Sequence, residues 1–223
     1  MAEALRDQTC GGKIRGEAID VFPGSELDDR TIVSFTVQFP PNQTVFSPDQ
    51  YGAEINRVIQ SASTFGNAAV AIVGHSDPTK TLVDMVRAGQ QKGVIQRSGS
   101  PGDYQYFIKT NGGSKPLDLT QTQSVVELIE AGAFDGVQPD PRQTMQAALN
   151  LSLARADAVK QGIVDYAQKQ GKTLNVEQVK PVGAGILEPL ISKPRNRQEA
   201  EQNMRVEFKV IRVPGEAIDD FDY

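Results

Sequence analysis

Residues 68–78 read Ala68-Ala69-Val70-Ala71-Ile72-Val73-Gly74-His75-Ser76-Asp77-Pro78. Ala68 to Val73 is apolar without a break and short, which predicts a central strand buried on both faces. The run passes straight into a glycine, an imidazole, a hydroxyl and a carboxylate, so polar groups stand at the strand's exit.

Working toward the N-terminus, Ile32 to Phe39 alternates. Val33, Phe35, Val37 and Phe39 share one face, and Ser34, Thr36 and Gln38 share the other, which predicts a strand with one buried face. Pro40-Pro41 ends it, because proline cannot donate to a ladder. Ser47-Pro48-Asp49-Gln50 predicts a helix start, with Ser47 as cap and Pro48 at the first helical position. Tyr51, Ile55, Val58, Ile59 and Ala62 then form an apolar stripe at helical spacing.

Toward the C-terminus, Asp140, Pro141 and Gln143 predict a second capped helix. Its stripe runs Met145, Leu149, Ser152, Ala156, Val159, Ile163 and Tyr166, with a stop at Gly171 and with Arg155 on the stripe's flank. Leu174 to Val182 reads as a strand, Gly183 to Pro194 as a loop and Arg197 to Gln202 as a short helix. Met204, Val206, Phe208 and Val210 alternate against Arg205, Glu207 and Lys209, which predicts a last strand with one buried face. The order implies an α+β sandwich with helices on one sheet face.

Between these two halves the pattern is less regular. Leu82 to Val86 predicts a helix that fades near Gly89 to Gly93. Ser98 to Gly102 is a loop, Tyr104 to Ile108 a strand closed by Asn111-Gly112-Gly113, and Val125 to Ile129 a short helix stopped at Gly132. The domain organisation is therefore an N-terminal extension (1–30), one domain (31–213) with a long inserted subdomain at about 78–139, and an acidic tail (214–223). Within the extension, Ile14 to Phe22 is a weak strand candidate and Pro23-Gly24-Ser25 a turn. An insertion of that length with its own secondary structure is usually functional.

Composition narrows the function. With 23 Lys and Arg against 28 Asp and Glu, and no basic block, the footprint of a nucleic-acid binder is missing. Cys10 is the single cysteine, so an internal disulfide and a thiolate metal site are both excluded. No apolar stretch reaches the roughly 20 residues of a spanning helix, and Ala2 to Thr9 is too polar for a signal peptide. His75 is the single histidine, no nucleophile elbow or phosphate loop occurs, and metal-ligand spacing is absent. The expectation is a non-catalytic chain without cofactor or metal.

Three segments in order carry a more specific signal: Gly74-His75-Ser76-Asp77 after an apolar strand, Leu151-Ser152-Leu153-Ala154-Arg155-Ala156 inside a long helix, and Asn203-Met204-Arg205-Val206-Glu207 opening the last strand. Together with Phe39-Pro40-Pro41-Asn42-Gln43 and the loop from Gly183 to Pro189, they resemble the OmpA-like (OmpA/Pal/MotB C-terminal) peptidoglycan-binding domain family. The resemblance covers about Ile32 to Val213, excepting the insertion. It implies a βαβαβ sandwich and non-covalent binding of peptidoglycan through the diaminopimelate of its peptide stem. It places the chain in a bacterial cell envelope, on the periplasmic side, tethering a larger assembly to the cell wall.

The family motifs match Asp77 and Arg155 to the residues that hold the ligand, with Ser76, Leu151, Asn42 and Arg205 nearby. The chemistry suits those types: a carboxylate accepts from an ammonium, and a guanidinium takes a carboxylate in two-point fashion. The same two residues as an exposed ion pair would be worth only about 0–1 kcal/mol. Three departures stand out. Ala148 occupies the place of a family Asn, Met204 that of a common Arg, and the insertion follows Asp77 directly. A rival expectation is a protein-interaction module that keeps the scaffold and binds a partner through residues 78–139. A second rival is an enzyme whose insertion completes a site, which turnover of purified peptidoglycan would reveal.

Overall fold

The computed structural model describes residues 31–64, 68–110 and 112–212. The expectations for residues 1–30, for the tail from Pro214 and for Asn111 of the turn lie outside them. The chain divides into two compact units. The first takes the described residues of Met1–Gly74, Leu153–Gly183 and Arg205–Tyr223, and the second those of His75–Ser152 and Ala184–Met204.

The first unit is built on a four-stranded sheet of β1 (Thr31–Gln38), β2 (Ala68–Gly74), β6 (Val179–Gly183) and β7 (Arg205–Arg212), in the order β1-β7-β2-β6. β7 pairs antiparallel with β1 and with β2, and β2 pairs parallel with β6. Register puts Phe35 opposite Phe208 and Phe208 opposite Ile72, so their side chains share one face. The rings of Phe35 and Phe208 stack there at 4.1 Å. Onto this face pack helix α1 (Gly52–Thr64), through Ile55, Val58, Ile59 and Ala62, and helix α4 (Pro141–Lys169), through Ala156, Val159, Ile163 and Ala167. Each fully buried aliphatic or phenyl group adds roughly 1.5–3 kcal/mol. The predicted α+β architecture with helices on one sheet face is what forms.

Local signals explain most of these elements. The Asp140 carboxylate accepts from the Arg142 N–H at 2.9 Å, so the predicted cap of α4 is made. At the other end Gly171 adopts φ +63, and Lys172 N–H reaches the Ala167 carbonyl at 2.9 Å, a glycine-stopped helix end. Ser47 behaves differently from expectation. Its side chain makes no capping bond, because the chain enters through a 3-10 turn (Pro48–Tyr51) in which Gln50 N–H bonds the Ser47 carbonyl at 3.3 Å.

The strand expected over 174–182 begins only at Val179. Asn175 accepts from Glu177 N–H at 3.1 Å and draws Val176–Gln178 into a 3-10 turn. The larger correction concerns β7. Val206, Phe208 and Val210 face the core as predicted, but Arg205, Glu207 and Lys209 are also buried, at 1–2 % exposure. The polar face of β7 is therefore not a solvent face, and its charges meet one another there, Glu207 with Arg205 and Lys209. β2 is central as predicted, with Val70 and Ile72 fully buried while Ala69, Ala71 and Val73 are half-buried.

The second unit has its own core of Leu82, Met85, Ala88, Ile95, Val125, Ile129 and Phe134. Helices α2 (Thr79–Gln91) and α3 (Thr122–Glu130) appear where the apolar clusters put them, and α5 (Arg197–Asn203) matches its prediction. A three-stranded antiparallel sheet of β3 (Ile95–Ser98), β4 (Gln105–Thr110) and β5 (Gly113–Leu117) joins them, and only β4 was expected. The outer strands gave no signal. In β3 only Ile95 is buried, and β5 carries Pro116, which an edge strand tolerates.

Candidate functional site

In the second unit, Asp77 stands three residues past the end of β2 and is half-buried. Its Oδ1 accepts from Thr79 N–H at 3.0 Å and its Oδ2 from the Asn203 side-chain amide at 2.8 Å. Both donors are neutral, so they fix the carboxylate in place and leave its charge for another group. Asn203 is fully buried and also exchanges two bonds with the backbone of Ile191, at 2.9 and 2.8 Å. One amide thus ties the 184–196 segment to Asp77. Sequence reasoning quoted Asn203 only as part of a motif; its place just before β7 was the available signal.

Ser76 is buried and donates to the Ala148 carbonyl at 2.9 Å, while its N–H meets the Gly185 carbonyl at 2.7 Å. Gly185 N–H in turn donates to Ser152 Oγ at 2.9 Å. Ala148 thus contributes its backbone carbonyl to the Ser76 hydroxyl. His75 is buried with Nδ1 3.3 Å from the Leu187 carbonyl. That is the structural role expected of a lone histidine. Leu151 is half-buried on α4.

In the first unit, Arg155 is fully buried rather than set on the flank of the stripe. Its Nε donates to the Gln43 carbonyl at 3.0 Å and an Nη to the Pro40 carbonyl at 3.3 Å. The guanidinium lies 5.5 Å from the centre of the Phe39 ring, within cation–π range. Loss of solvent pushes its pKa down to about 10, so it is charged at neutral pH. Arg155 therefore pins the loop that carries Asn42, an exposed residue at φ +56. Arg205 donates from Nε to Glu207 at 2.6 Å, and Lys209 Nζ lies 3.8 Å from the same carboxylate.

The structure thus brings Ser76 and Asp77 together with Asn203 in one unit, and Arg155 with the Asn42 loop in the other. Asp77 and Arg155 fall in different units. Among the described residues, no group of three or more His, Cys, Asp or Glu side chains could hold a metal, and no helix is long and apolar enough to cross a membrane.

No family model matches the chain, and no curated protein matches it. Several solved structures are similar to it. The peptidoglycan-associated lipoprotein from Burkholderia pseudomallei is 15% identical with a TM-score of 0.41, over 84% of this chain and 95% of that one. The OmpA-like domain of FopA1 from Francisella tularensis subsp. tularensis SCHU S4 is 13% identical with a TM-score of 0.39, over 80% and 71%. The cell wall anchor of the T6SS from Pseudomonas aeruginosa is 14% identical with a TM-score of 0.38, over 83% and 90%. The functional reading rests on the chain's own residues.

Proposed function

We propose that this chain binds peptidoglycan non-covalently through its peptide stem and tethers a larger envelope protein or assembly to the cell wall. The observation that carries the reading is Asp77: a half-buried carboxylate held on both oxygens by neutral donors and presented at the end of a buried strand. Such a group takes an ammonium. In the first unit Arg155, charged and preorganised by the Pro40 and Gln43 carbonyls, is suited to a carboxylate of the stem. Ser76 and Leu151 support the Asp77 side, and Asn42 the Arg155 side. Arg205 acts through the buried ladder on β7. The work is binding, and no bond is broken.

The test is titration of the purified chain with a soluble stem peptide carrying diaminopimelate, against one carrying lysine in its place. The diaminopimelate stem binds at least about tenfold more tightly, because the lysine stem lacks the distal carboxylate. Equal affinity overturns the two-charge reading. A second reading, a partner-binding module, is favoured by the separate core and sheet of the second unit. It is tested by capture from an envelope extract with and without residues 79–131.

A further inference from the structure

A cleft of about 150 Å³ opens in the second unit, lined by α3, the first turns of α4 and the loop 184–187. Its walls include Val126, Met145, Leu149 and Ile186, and its polar side chains are Glu130 and Gln146. Leu149 is 38% exposed, an unusual position for a leucine on a predicted core stripe. Gly185 lets the loop lie close: it sits at φ +60, and a Cβ there would come 3.4 Å from Leu149 Cα.

Several donors around this cleft are already committed. Gly185 N–H serves Ser152, Leu187 N–H serves the Ala184 carbonyl at 3.1 Å, and the Gln146 amide N–H serves Asn150 at 2.9 Å. Besides the second Gln146 N–H, the polar side chains present two acceptors, the Gln146 carbonyl oxygen and the Glu130 carboxylate, and the charge among them is negative. Among the described residues, no side chain bonds that carboxylate. Apolar walls with an acceptor rim of one negative charge fit an aliphatic chain that ends in a cationic donor.

We propose that this cleft binds the aminoalkyl side chain of a peptide, of lysine type. Its methylenes lie on Leu149, Met145 and Ile186, and its ammonium meets Glu130. The volume matches one such side chain, since a cavity of about 150 Å³ holds a benzene-sized group. The proposal is independent of Asp77 and Arg155, and it gives α3 of the insertion a recognition role.

The probe is Nα-acetyl-lysine-methylamide, titrated into the full chain while the methyl carbons of Met145, Leu149 and Ile186 are followed by NMR. Saturable shifts of these methyls are expected. The norleucine analogue, which lacks the ammonium, binds about fivefold more weakly, and Glu130→Gln weakens the lysine probe by about the same factor. Leu149→Lys, at an exposed helix position, fills the cleft with its own ammonium and abolishes the shifts without changing the melting temperature. Asp77→Asn leaves the titration unchanged. Absence of saturable shifts overturns the proposal. So does equal binding of norleucine, indifference to Glu130→Gln, or loss of the shifts in Asp77→Asn.

Discussion

Arg155 holds a loop in the fold, and the proposed function gives the same side chain a ligand to bind. Its guanidinium holds two loop carbonyls, of which Pro40 also accepts from Gln43 N–H at 3.2 Å, so truncation takes the Arg155 donor from Gln43 and one of two donors from Pro40. Arg155→Ala should cost about 1–3 kcal/mol, the penalty of one carbonyl that loses its donor, read as a lower denaturation midpoint. Arg155→Lys keeps the charge but loses the planar fork, so ligand binding weakens even where the fold survives. The pH dependence separates the two cations. Burial lowers the folded pKa of Arg155 to about 10, below its value in the unfolded chain. Between these values the unfolded chain binds the extra proton, so this group adds stability only as pH climbs through that window. Below pH 10 it stays charged in both states. A lysine starts from about 10.4, and the same burial lowers it further. The binding deficit of Arg155→Lys relative to the natural chain should therefore widen between pH 6 and pH 9. A constant ratio across that range would show that charge at this position does not matter.

At the level of elements, β7 is where sequence and structure part. Alternation of apolar with charged residues normally marks a strand with one wet face, and Arg205, Glu207 and Lys209 fit that pattern. Alternation reports only which positions are apolar; it carries nothing about what covers the other face. Here Glu207 stands between two cations at 1–2 % exposure. Glu207→Gln leaves both without that anion and should cost about 3–5 kcal/mol, measured by chemical denaturation. A change under 1 kcal/mol would mean the ladder is solvated. The capped helix α4 was legible because Asp140, Pro141 and Gly171 act locally, and Asp140→Ala should cost about 1 kcal/mol. Ser47 had the same signature without the bond, since a tight turn met the N–H first. The edge strands β3 and β5 were silent because their residues bury little, and burial is what periodicity detects.

At the scale of the whole molecule, the core of the first unit draws nothing from residues 79–131: its buried residues come from 35–72, 156–167 and 179–210. Removing 79–131 should leave a chain that still unfolds cooperatively with the far-ultraviolet signature of the α+β sheet. Complete loss of that transition would show that the insertion completes the core. The motifs made Asp77, Ser76 and Arg155 legible as candidate site residues, because residue type and order survive in sequence. What they could not carry were the Asn203 amide that fixes Asp77 and the burial of Arg155, since both depend on chain segments brought together by folding. The central claim, that Asp77 presents its charge to the cell wall, is met most directly by sedimentation of the purified chain with insoluble peptidoglycan. Asp77→Asn keeps the shape of the side chain and an acceptor oxygen while removing the charge. The account predicts that the natural chain pellets with the wall material, and that a folded Asp77→Asn chain with an unchanged melting curve stays largely in the supernatant. Equal pelleting of the two would contradict it.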